Sequence, residues 1–255
     1  MGFTVQFPKG VDSIEFIASF AQCFDGNQNL RDALLGMQDS LRQAALFPLE
    51  PLGLLACITA EEEAASVLYY ALLEMGYQVP NHGKIQRHDA KVKILIFAQV
   101  IQNYFFKDMT AEFSSVIRVQ RDGNRPKTSL RFSHEGHSIV QEYPLGSIVS
   151  SGDGEAGHNL AVERSVNAVL TDITPKGMSI GSQIKTVANR RNLCLYGDPD
   201  KKKRLQSVSE IEHFKGNCVV MVVVAFLVLN ENGCTSSMNK LVKEIFEKLS
   251  TKVMP

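Results

Sequence analysis

Twelve consecutive residues, Cys218-Val-Val-Met-Val-Val-Val-Ala-Phe-Leu-Val-Leu229, carry no charged or amide side chain, and no other feature restricts the fold as strongly. Such a run has to be covered on every side. It is shorter than the roughly 20 residues a membrane-spanning helix requires, so a buried central element is expected and no membrane segment. Its many valines keep a strand reading open. Its length, and the capping-box spacing of Ser207-Val-Ser-Glu210 before it, favour a helix from about Val208 to Asn230. A second apolar stretch, Leu52-Gly-Leu-Leu-Ala-Cys-Ile58, predicts another central helix running from Pro51 to Met75 and closed by Gly76. At 255 residues the chain is long enough to enclose both.

Helical periodicity recurs over residues 12–24, from Leu30 to Pro48, from His88 to Phe106, over 159–171 and 178–196, and from Thr235 to Lys248. Residues 81–87 and the glycine-rich 150–158 read as loops, the latter a mobile one. Alternation and β-branched residues take over at 115–120, 128–132 and 138–142, separated by turn-like Asp122-Gly123-Asn124 and His134-Glu135-Gly136-His137. The expected fold is mainly α: a multi-helix bundle forming a single domain over 1–255, with a small antiparallel β meander inserted at about 112–150.

Lys+Arg and Asp+Glu balance at 27 each, so there is no global pull toward nucleic acid or an anionic membrane, and any such binding has to be local. Five widely spaced cysteines without a CxxC pair argue against a zinc site or disulfide scaffold. The start, Met1-Gly2-Phe3-Thr4-Val5-Gln6, lacks the basic and apolar regions of a signal peptide, and a reducing cytoplasm is the expected home. No histidine pair has matching carboxylates at a metal-ligand spacing: His82 and His88 flank a loop, and His134 and His137 sit in a presumed turn. Neither a metal nor a cofactor is expected. Gly177-Met-Ser-Ile-Gly181 is too short for a phosphate loop, and no nucleophile elbow is present.

Three groups carry the chemistry. In Arg190-Arg191-Asn192-Leu193-Cys194-Leu195-Tyr196-Gly197-Asp198-Pro199, glycine and proline punctuate a helix end expected near Tyr196. That spacing gathers Arg191, Asn192 and Tyr196 at a helix C-terminus, where the arginine either caps its own helix's carbonyls or holds a phosphate. Glu61, Glu62 and Glu63 span roughly 200° of the second helix, so at least one faces inward or sideways and needs a partner. His88 and Lys91 are the natural candidates, with Arg31 or Arg42 as further ones; the cluster is either a buried ion pair fixing helix register or part of a site. The run Lys201, Lys202, Lys203, Arg204 is either a solvated loop or four cations able to hold a nucleic-acid backbone.

The order of these features resembles the abortive-infection AbiV group of the HEPN superfamily. The carrying residues are Leu-Ala-Cys-Ile-Thr-Ala-Glu-Glu-Glu-Ala-Ala-Ser-Val-Leu at 55–68, His88-Asp-Ala-Lys91, and Arg191-Asn192-Leu-Cys-Leu-Tyr196-Gly197, which matches the superfamily's Arg-polar-His motif except that Tyr196 stands in the histidine's place. The resemblance covers residues 30–106 and 178–250 and leaves the meander outside. It implies a helical bundle, a homodimer, and a metal-independent ribonuclease active in phage defence, with a companion or antitoxin protein as a further partner. Arg191 would then act on the scissile phosphate, Asn192 would position it, Tyr196 would serve as a weak acid or orienting group, and Glu62, His88 and Lys91 would complete the site. A phenol titrates near ~10 in water and is a poor general base at neutral pH. The tyrosine therefore also fits a non-catalytic interaction module that binds RNA, a nucleotide or a partner protein.

Overall fold

The computed structural model describes residues 4–79, 85–105, 114–134, 137–141, 154–196, 207–230 and 237–253. In chain order the elements are β1 (Thr4–Gln6), α1 (Ser13–Ala18) with a 3-10 segment (Ser19–Phe24), α2 (Gln28–Leu46), α3 (Pro51–Glu74), α4 (His88–Asn103), β2 (Ser114–Asp122), β3 (Arg125–His134) and β4 (His137–Gln141). They continue with α5 (Gly154–Ile173), α6 (Ile180–Ala188), α7 (Arg190–Tyr196), α8 (Ser209–Leu229) and α9 (Ser237–Val253). The protein is mainly helical with one small sheet.

Helices α3 and α8 form the centre. Pro51 opens α3 at its first turn, where the missing N–H costs nothing. The chain reaches it through Leu49 at φ 69, a conformation that L residues rarely adopt. Gly53 lets α2 and α3 approach closely, because a Cβ there would collide with the carbonyl oxygen of Phe47. On α3, Ala64, Val67, Leu68 and Leu72 are wholly buried between α2, α4 and α8. On α8, Met221, Val222, Val223, Ala225 and Phe226 are equally enclosed, each large side chain contributing ~1.5–3 kcal/mol of burial. Phe20 of the 3-10 segment meets Phe226 edge-on at 5.4 Å, and Phe97 of α4 stacks on Phe246 of α9 at 4.3 Å.

Helix, not strand, is thus the outcome for 218–229. The capping box does not form: Val208 is the cap residue without a side-chain bond, and the Ser207 and Ser209 hydroxyls bond each other at 2.6 Å. Because polar residues 209–217 extend the run, α8 has 21 residues and is long and apolar enough to cross a membrane by length and composition. In this fold 61% of its apolar window lies inside the protein, as in a core helix.

The sheet is ordered β1-β2-β3-β4. The β2–β3 hairpin turns at Gly123-Asn124, Gly123 taking φ 58, with Asp122 opposite Arg125. Ile117 and Val119 face the core, and the Arg121 guanidinium lies 4.6 Å over the ring of Phe20. The unexpected member is β1, which pairs parallel with β2, Val5 opposite Ile117.

Two boundaries differ from expectation. Helix α5 begins at Gly154, so most of the presumed 150–158 loop is helical; residues 150–153 lie outside those described. The helix expected over 178–196 is interrupted at Asn189, which ends α6, and α7 starts afresh at Arg190.

Candidate functional site

The polar residues of α3 collect partners from three other helices. Glu62, almost buried, is shared: its Oε2 accepts from Nη1 of Arg191 on α7 at 3.3 Å, and its Oε1 lies 2.5 Å from Nδ1 of His88 on α4. The imidazole contact is ionic and off the hydrogen-bond axis, since Nδ1 has no aligned partner. Glu63 reaches Lys91 of α4, with Nζ 3.8 Å from Oε1 and the lysine side chain 12% exposed. Gly36 of α2 leaves the room for this: a Cβ there would press on Glu63 Cγ at 3.3 Å.

Glu61 turns the other way and accepts from Asn217 Nδ2 of α8 at 2.6 Å. Burial pushes its carboxyl up to about 7; the Asn217 bond and the charge of Arg190 pull against that, and the Glu62 charge adds to it. Glu61, Glu62, Lys91 and Arg190 line a cleft floored by Ile58, Val92 and Leu95, with room for about 30 Å³. One or two waters fit such a space. Arg191 and His88, which share Glu62, keep about a third of their side chains exposed.

The structure brings together Glu62, His88, Lys91 and Arg191, and sets Asn192 and Tyr196 apart. Arg191 is the second residue of a short helix and does not sit at a helix C-terminus, because the interruption at Asn189 restarts the numbering of turns. Asn192 donates to Asn189 Oδ1 at 3.0 Å on the exposed side. Tyr196 is 82% exposed, far too open to be an enclosed acid or base. The other suggested partners of the carboxylates are engaged elsewhere: Arg31 pairs with Asp25 and Arg42 with Glu15. Residues Gly197, Pro199, Lys201, Lys202, Lys203, Arg204 and His82 lie outside the described residues.

Two site residues were missed in the sequence. Arg190 forms the cleft wall beside Glu61, and Asn217 holds that carboxylate. Asn217 had a signal, being the last amide before an apolar run and so a polar atom on a buried helix. Among the described residues no group of three His, Cys, Asp or Glu is arranged to hold a metal. Burial pushes the Cys57 thiol up to about 12 and raises that of Cys218 as well, so neither is a ready nucleophile.

A second histidine network lies between α4, α5 and α9. His158, buried, has Nδ1 2.9 Å from the Tyr104 hydroxyl and Nε2 2.6 Å from Glu244 Oε2, with Lys240 Nζ 4.0 Å from the same carboxylate. Below it Lys248 meets Glu163 at 3.3 Å and Lys252 donates to Asn167 at 2.5 Å, so α5 and α9 run side by side in a polar ladder.

Compared with known proteins, the chain matches no family model, no curated protein and no solved structure.

Proposed function

We propose that this is a HEPN-like, AbiV-like phage-defence protein of the cytoplasm that cleaves RNA without a metal, with the face carrying Arg191 as its substrate site. The observation that carries this reading is the shared carboxylate: Glu62 holds both Arg191 and His88, two residues more than a hundred positions apart in sequence. A guanidinium with donors to spare binds a phosphodiester in bidentate fashion, and a buried acid keeps it aimed. Lys91 adds positive charge beside it. The homodimer that the resemblance implies has a natural seam in the exposed Leu46, Leu49, Leu52, Leu193, Leu195 and Tyr196 near the same end of α3.

Incubating the protein with total RNA in EDTA, beside a folded Arg191→Ala control, tests the reading. Cleavage by the wild type alone supports it; equal cleavage by both defeats the Arg191 assignment. No cleavage by either favours the second reading, a non-catalytic module that binds RNA, a nucleotide, or a companion or antitoxin protein. The 82% exposure of Tyr196 supports that alternative, because it leaves the motif's last position without an enclosed acid or base.

A further inference from the structure

We propose that Arg190 is a second phosphodiester ligand beside Arg191 and that Glu61 controls it, binding of an RNA phosphate there being coupled to uptake of a proton by the Glu61 carboxylate. The inference rests on the reading that the Arg191 face binds RNA, and adds to it a subsite and its regulation. The two arginines are neighbours on α7 and meet neighbouring acids of α3, but the two relations differ. Arg191 is held by Glu62 at 3.3 Å. Arg190 is exposed, lines the same cleft as Glu61, and has no ion pair among the described residues. Glu61 is held by one amide, Asn217 Nδ2 at 2.6 Å, and likewise has no ion pair among the described residues.

A carboxyl so placed acts on the arginine in two ways. As a neutral acid it leaves the Arg190 guanidinium to the ligand. As a carboxylate it attracts that guanidinium and repels an incoming phosphate, and the apolar floor of Ile58, Val92 and Leu95 leaves little water to screen either force. Around Glu61 stand Glu62 and the Cys57 thiol on its own helix, Lys91 of α4, Arg190 of α7 and the Cys218 thiol of α8. Helix α6 contributes Val187 and Ala188, both apolar. Burial raises the Glu61 carboxyl to about 7, so its two forms exchange near neutral pH. An anion bound beside it raises it further. Protonation and phosphate binding therefore favour each other, and affinity falls as pH rises through about 7. The proton comes from solvent and returns there when the ligand leaves; no bond to phosphorus is made or broken.

The test is binding of a short rhodamine-labelled 2′-O-methyl ribo-oligonucleotide, which has no free 2′-hydroxyl and stays intact, followed by fluorescence anisotropy at fixed ionic strength. Wild type, Glu61→Gln, Arg190→Gln and Arg191→Ala are compared, each shown folded by circular dichroism. Glu61→Gln should bind as the wild type does at about pH 5.5 and about five- to tenfold more tightly at about pH 8.5. His88 and Glu62 are present in both proteins, so their titrations cancel in that ratio. Arg190→Gln should bind about fivefold or more weakly than the wild type at the lower pH. Calorimetry in two buffers of different ionisation enthalpy should show the wild type taking up about half a proton more than Glu61→Gln at about pH 7.5. Equal affinities of wild type and Glu61→Gln at the higher pH, or a ratio that does not change with pH, overturn the proposal. So does an Arg190→Gln variant that binds like the wild type at the lower pH. While Arg191→Ala still weakens binding, those results overturn this inference alone. No Arg191-dependent binding at any pH overturns the RNA reading, and this proposal with it.

Discussion

Two histidines in this protein each lean on a glutamate from another helix, and their surroundings set them apart. His88 gives one nitrogen to Glu62, keeps the other open, and shares its acid with Arg191. His158 meets the Tyr104 hydroxyl through Nδ1 and lies 2.6 Å from Glu244 through Nε2, a contact that, like that of His88, has no aligned hydrogen bond, with its side chain 5% exposed. The pairing chemistry is the same. What differs is access: an imidazole a third exposed beside a part-exposed guanidinium is open to a ligand, whereas one closed off in the core holds helices together. A His–Glu contact by itself therefore says little about function until its exposure to solvent is accounted for.

The sharpest break in that comparison comes from stability. Glu244→Ala should cost about 3 kcal/mol, since it strands a buried imidazole. Differential scanning calorimetry should then show Tm lower by roughly 6–12 °C. His88→Ala should cost about 1 kcal/mol or less, because the imidazole is a third exposed and Glu62 keeps Arg191 as a partner. Equal losses would erase the distinction between the two pairs.

Next in size is Glu61→Gln. The raised carboxyl binds its proton more tightly in the folded state than in the unfolded one, so its ionisation weakens the fold as pH rises from about 4.5 through about 7. Glutamine keeps an acceptor for Asn217 without the charge. The variant should gain about 1–2 kcal/mol at pH 8, discounted for partial exposure, and nothing at pH 4. Urea titrations at the two pH values measure it, and a gain at pH 4 would rule out the charge as the cause.

Tyr104→Phe should cost about 1 kcal/mol by leaving His158 Nδ1 without its hydroxyl. Smallest is Lys248→Ala on the α5–α9 ladder, about 0.2–0.5 kcal/mol at low salt and vanishing at high salt, because that pair is half-exposed. A salt-independent loss there would show that the ladder acts through packing and not charge.

Much of the helical frame was legible, because α2, α3, α4 and α9 repeat their apolar residues at helical spacing over several turns. That His88 and Lys91 would serve the acidic triplet followed from three adjacent acids on a buried helix needing neighbours, though which acid meets which partner did not. Arg191 was recognised but misplaced: Asn189, which interrupts the helix, carries none of the glycine or proline marks that announce a break. His158 escaped notice because three glycines precede it and local propensity there favours a loop, while the partners that stabilise helix at 154–158 come from α4 and α9. Three residues of β1 are too few to show any alternation; only β2 defines them as a strand.

That short strand has a kinetic meaning. Gln6 receives the Arg118 guanidinium from 112 residues away, and β1 has three residue pairs with which to offset the closure of so long a loop. Loop-closure entropy of that size is recovered only after most of the intervening chain has already folded. Docking of β1 should therefore be a late event, and its amides should exchange with solvent before those of β2 and β3, through an opening that leaves the helical core intact.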